Sequence, residues 1–168
     1  MSLSLLGYFL LYITIFVSFI GLLHTKWQRC FFFQSALLPL FSFLLLLYLF
    51  ISSDLSVKNV FLNSSSTLPL IYKISASWAS HEGSLLLWLA LFGVVNITYF
   101  TILFPNQSNN LRESSLYQTI FCLIVLLFLC TIIYTSNPFE RFSFVPGNGL
   151  GLNPMLQDMA ILIHPPIL

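Results

Sequence analysis

The sequence predicts an all-α polytopic membrane protein with about four transmembrane helices and long outside loops. Two observations predict it. The 168 residues are 58% hydrophobic and 17% aromatic but only 7% charged, far from the roughly 25% charged residues of a soluble domain. Four stretches, about 3–23, 31–53, 84–104 and 116–134, contain no Asp, Glu, Lys or Arg. Each is close to the ~20 apolar residues that cross a hydrocarbon core of ~30 Å. Lipid offers backbone groups no outside partner, so such stretches must be helical.

The first run lacks a basic leader and a small-residue cleavage site, and it exceeds the ~7–15 apolar residues of a signal peptide. It is therefore expected to be a retained span. No Arg-rich, amphipathic transit peptide precedes it, so a mitochondrial member of this kind would be made inside the organelle. The second run follows the short connection 24–30, which carries Lys26 and Arg29, and the fourth follows the short connection 105–115, which carries Arg112. The long segments 54–83 and 135–168 dilute Lys58, Lys73 and Arg141 over many more residues. Positive charge concentrated in short loops places those loops in the cytoplasm or matrix, with both termini and both long segments outside. The long segments are rich in Ser, Asn, Gly and Pro, as in Asn63-Ser64-Ser65-Ser66-Thr67 and Pro146-Gly147-Asn148-Gly149. They read as outside loops of a single membrane domain, residues 1–168, rather than as a second folded unit.

Composition also excludes function classes. Six Lys and Arg against five Asp and Glu leave a net charge of +1, with no basic stripe for nucleic acid, so the partner implied is the lipid bilayer. Cys30, Cys122 and Cys130 form neither CxxC nor CxxCH, which argues against a disulfide scaffold, a zinc ribbon and haem attachment to this chain itself. Five carboxylates are too few for a paired-carboxylate hydrolase, and no Gly-rich phosphate loop is present. An independent enzyme is not expected.

Two places remain for chemistry. Residues 69–84 run into the third apolar stretch and are expected to continue it as one long helix. Steps of three and four residues then align Ile71, Ile74, Trp78, His81, Leu85, Trp88 and Phe92 on one stripe. One reading is an interfacial packing stripe with His81 and Glu82 solvated among headgroups. The other is a site, because ionisable groups at the mouth of a span often mark a proton path or a bound cofactor, and Trp78 and Trp88 would flank a planar ligand. The second place is His164-Pro165-Pro166. The prolines have fixed φ and no backbone N–H, and Pro165 disfavours the α region for His164, so the imidazole stands on a stiff extended backbone. Such a histidine suits an axial haem ligand, or simply a capping role in a Pro-rich turn.

These motifs can be named together. Leu68-Pro69, Trp78-Ala79-Ser80-His81-Glu82-Gly83-Ser84-Leu85-Leu86-Leu87-Trp88, Thr135-Ser136-Asn137-Pro138-Phe139-Glu140-Arg141, Leu152-Asn153-Pro154-Met155-Leu156-Gln157-Asp158 and His164-Pro165-Pro166 closely resemble the CcmF family. That family supplies the large membrane subunit of the cytochrome c haem lyase in the multi-component maturation pathway. The resemblance covers about residues 54–168; residues 1–53 match only as two apolar helices. It implies a protein that takes haem from a haem chaperone and helps attach it through thioether bonds to CxxCH of apocytochrome c outside the membrane. The family's His-Pro-Pro histidine is one of two outside haem ligands, and the matching residue is His164. The family motif also includes His81 and Glu82, without assigning them a role. A Trp-rich WWD segment and the second histidine find no match in this sequence.

The expectation is therefore the N-terminal subunit of a split haem lyase, with His164 binding haem iron and other CcmF-like fragments supplying the WWD segment and second histidine. A truncated piece of a longer protein is the competing origin. The location expected is the mitochondrial inner membrane, with the bacterial inner membrane as the alternative. The rival function is a structural membrane subunit of a respiratory assembly with no haem chemistry of its own.

Overall fold

The computed structural model describes residues 3–103, 111–144 and 146–157. Among them, the chain forms helices α1 (Leu3–Leu23), α2 (Gln28–Ile51), α3 (Lys58–Asn63), α4 (Leu70–Ala79), α5 (His81–Leu103) and α6 (Leu111–Thr135), with 3₁₀ turns at Thr25–Trp27 and Pro154–Leu156. Four of these, α1, α2, α5 and α6, are long and apolar enough to cross a membrane, as the uncharged runs predict. The spans α2, α5 and α6 begin a few residues ahead of those runs, because a helix need not stop where the charges start. Gln28 opens α2 and is buried: its Nε2 donates to Thr119 Oγ1 at 2.6 Å, and its Oε1 accepts from Ser115 Oγ at 2.7 Å. The Arg29 guanidinium lies over the Phe33 and Phe100 rings at 5.9 and 5.8 Å. Glu113 rides in the first turn of α6, where the helix dipole favours a carboxylate.

Helix α1 packs on α2 and α6, and α2 packs on α5. The buried side of α1 is made largely of small residues, with Ser4, Gly7, Thr14, Ser18 and Gly21 around Leu11 and Val17. Small side chains let helix backbones approach where no hydrophobic effect drives them together. Ser18 Oγ donates to Ser35 Oγ of α2 at 2.9 Å. Gly93 of α5 lies so close to α2 that a Cβ there would run into the Ala36 carbonyl. Other hydroxyls inside the spans turn to their own helix: Thr14 to the Leu10 carbonyl at 2.6 Å, Ser42 to Leu38 at 3.0 Å and Thr131 to Leu127 at 3.0 Å. Such back-bonding satisfies a hydroxyl without a neighbour. Near the short turns, Phe32 meets Phe100 and Phe121, each at 4.7 Å between ring centroids, joining α2, α5 and α6.

The two long segments come together at one end of the bundle. Val57 and Arg141 form an isolated antiparallel bridge. Lys58 N donates to the Glu140 carbonyl at 2.8 Å, Phe142 N to Ser56 at 3.1 Å and Leu150 N to Phe61 at 2.9 Å. Residues 54–83 also hold α3 and α4, so this end is a packed ledge with paired backbone rather than free loop. Phe139 pins the ledge to the spans. Its ring is fully buried and occupies the space that a side chain at Gly7 of α1 would need.

Candidate functional site

The long helix expected through residues 69–104 is broken at Ser80, and the expected stripe is split there. Ser80 has an extended backbone, with φ −80° and ψ 154°, and its Oγ accepts from Gly83 N at 3.0 Å. A serine side chain in that position satisfies an otherwise unpaired donor of the helix start. The chain therefore stops α4 at Ala79 and starts α5 at His81. Gly83 makes the sharp joint possible: a Cβ there would overlap the Ser77 carbonyl at the end of α4. Apolar periodicity continues across the break, which is why the stripe looked continuous in sequence; the cap and the small residue were the contrary signals.

The break separates Ile71, Ile74 and Trp78 on α4 from His81, Leu85, Trp88 and Phe92 on α5. The second group still shares a face, since seven residues bring a helix back to nearly the same direction. Trp78 is half-buried against the core. His81 is exposed at the first position of α5, and Glu82 is half-buried in its first turn. Trp88 stands about 10 Å further along the axis at ~1.5 Å per residue. His164 lies outside the described residues. Among the described residues, no three His, Cys, Asp or Glu side chains gather where they would hold a metal ion.

Trp88 has a different neighbourhood from His81. It lines an apolar cavity of about 300 Å³ with Leu89, Phe92, Ile124 and Phe128. A second cavity of about 220 Å³ shares Phe92 and Ile124 with the first and reaches Asn96 and Tyr117. Together they form a groove along the seam of α5 and α6. Tyr117 OH donates to Asn96 Oδ1 at 2.6 Å at its Asn96 end, and Asn96 Nδ2 donates to the Phe92 carbonyl at 2.7 Å. The one sequence signal for this polar pair is an Asn inside an uncharged span.

The motifs around the ledge turn out to have structural work. In the stretch from Thr135 to Arg141, Asn137 Oδ1 accepts from Phe139 N at 3.0 Å, turning the chain so that Phe139 enters the core. Lys58 Nζ and Glu140 Oε2 lie 3.2 Å apart, and Arg141 donates to Ser56 Oγ at 3.2 Å. Further on, Asn153 Oδ1 caps the Pro154–Leu156 turn by accepting from Met155 N at 3.0 Å, while Leu152 is buried.

No family model matches the chain. Its sequence is 42% identical over 134 residues to the cytochrome c-type biogenesis protein CycK of Rhizobium meliloti, a match covering 79% of this chain and 19% of that protein. It is 41% identical over 130 residues to the CcmF protein of Haemophilus influenzae, covering 76% of this chain and 19% of the relative. Over the matched residues the chain is similar in sequence to CcmF-family proteins. CcmF of Escherichia coli is 38% identical over 128 residues, again covering 76% of this chain and 19% of the relative. A solved structure of the cytochrome c haem lyase CcmF has the same fold, with a TM-score of 0.74 at 21% identity, covering 99% of this chain and 27% of that one. The chain thus spans about a fifth of the length of these three bacterial relatives.

Proposed function

We propose that this chain is the N-terminal portion of a CcmF-like haem lyase, helping to position haem for covalent attachment to CxxCH of apocytochrome c. The observation that supports this best is the identity shared with CcmF and CycK proteins over three quarters of the chain. In this reading the four spans anchor the protein and the ledge faces outside. His164 serves as an axial ligand to haem, which is cargo rather than a resident group. The rest of the apparatus, including the WWD segment and the second histidine, comes from other CcmF-like fragments or from the remainder of a longer chain, and haem arrives from a haem chaperone. The chain's share of the chemistry is placement: an imidazole on a rigid Pro-Pro backbone holds the iron so that the haem edge meets the thiols, which is proximity rather than acid–base work.

Trp78, His81, Glu82 and Trp88 are proposed as haem-handling contacts near the joint of α4 and α5, with Trp88 separated from the rest by its place in the groove. The membrane is the mitochondrial inner membrane or, as the bacterial relatives support, a bacterial inner membrane. The test is His164→Ala in the assembled protein. Haem retention and c-type cytochrome levels should fall severalfold while the chain still inserts in the membrane. Unchanged cytochrome c levels would refute the ligand role.

A further inference from the structure

We propose that the groove between α5 and α6 is the seat of a transmembrane helix from the CcmF-like part outside this chain, and that Asn96 is its polar anchor. The inference rests on the reading of the chain as part of a larger CcmF-like assembly.

Three features carry it. First, the matched relatives contain about five times the aligned length, so a CcmF-like protein has further segments that could cover a face this chain leaves open. Second, the groove has the spacing of a helix surface. Along α5 its two cavities are lined by Trp88 and Phe92 and by Phe92 and Asn96, pairs offset by four residues, one helical turn or about 6 Å. Side chains four residues apart on an overlying helix are separated by the same distance, so ridges of that helix enter successive holes. The outward side of α1, where Phe9, Phe16 and Phe19 are exposed, provides a comparison face on a neighbouring span.

Third, the smaller cavity has a polar lining at Asn96 and Tyr117. An amide side chain has two N–H donors and an oxygen with two lone pairs. Among the described residues, Asn96 commits one N–H to Phe92 and one lone pair to Tyr117, leaving one donor and one acceptor for a neighbour. An acyl chain can use neither. A helix with a Ser, Thr, Asn or Gln at that depth can use both, and small residues on the same face would let it approach. The occupant is therefore a mainly apolar helix of about 20 residues with small residues on one face and a single polar side chain facing Asn96.

The test is photocrosslinking in native membranes holding the assembled protein. The photoreactive residue p-benzoylphenylalanine replaces Ile124 in the groove or, as a control, Phe16 on α1. The expected result is a peptide from an apolar segment of a CcmF-like sequence, captured at position 124 at least fivefold more than at position 16. Filling the groove with Ile124→Trp should abolish capture by the same probe at Ile120. Adducts with lipid alone, a peptide from a second copy of this chain, or equal capture at both positions would overturn the proposal. His164→Ala separates it from the functional reading. A drop in cytochrome c with no groove crosslink would overturn the seat and spare the function. A groove crosslink with normal cytochrome c in that variant would spare the seat and overturn the ligand role.

Discussion

The ledge end of the bundle and the seam between α5 and α6 are built from the same apolar helices but are finished differently. At the ledge, residues far apart in sequence close over the spans. Phe139 fills the space beside Gly7, and strand-like pairing joins residues 56–58 to 140–142. At the seam, two neighbouring spans separate enough to leave consecutive cavities, with one hydrogen bond from Tyr117 to Asn96 across them. The difference is between a surface that this chain completes by itself and one that it leaves open. Several family-motif residues, among them Asn137, Phe139 and Arg141, belong to the completed surface and explain themselves by packing and turn geometry.

Substitutions can break or sharpen that contrast. The largest effect is expected at the ledge. Phe139→Ala removes a fully buried ring and should cost about 3–5 kcal/mol, seen as a lower unfolding midpoint in detergent together with protease cleavage within residues 136–151. A change below about 1 kcal/mol would mean that the ledge is not anchored by this ring. The next effect has the opposite sign. Gln118 is fully buried on α6, and among the described residues both its amide atoms lack a hydrogen-bond partner; such groups carry a penalty of about 1–3 kcal/mol. Gln118→Leu should therefore raise the unfolding midpoint; a lower midpoint would show that the amide is paired.

At the open seam the expected effect is smaller in the chain alone. Asn96→Leu removes the bond from Tyr117, and hydrogen bonds between membrane helices average about 0.6 kcal/mol. Stability of the isolated chain should barely move, whereas co-purification with the proposed CcmF-like segment should weaken. A large loss in the isolated chain would make Asn96 an internal strut instead. The smallest effect belongs to Lys58→Ala. Its ion pair with Glu140 is about half exposed on both sides and should contribute under about 0.5 kcal/mol, measurable as an unchanged midpoint within error. A loss above 1 kcal/mol would mean that charge, rather than the Phe139 ring, holds the ledge.

Legibility followed the physics of each feature. The four spans could be read directly because lipid penalises charge and unpaired backbone over a fixed length, so composition in a window of about 20 residues determines them. Helix α1 begins and ends as its uncharged run does. Helix α6 starts earlier than its run, since Arg112 and Glu113 are compatible with a helix that projects beyond the apolar layer. The joint at Ser80 was hidden by apolar periodicity on both sides, and the deciding contacts, Ser80 Oγ with Gly83 N and Gly83 against Ser77, are local but specific to one geometry. The stripe that would have put Trp78 and Trp88 on one helix face depended on continuity through that joint.

The sequence by itself determined that the chain is helical, that its solvent is lipid, where its spans lie and which family its motifs resemble. Each of these depends on composition or on residues close in the chain. Only the tertiary structure decided that Phe139 closes against Gly7, that Asn96 faces Tyr117, and that one helix seam is left as a groove while the ledge is sealed. Those outcomes depend on the distance between helices, which small residues at Gly93 and along α1 permit but which no single stretch of sequence specifies.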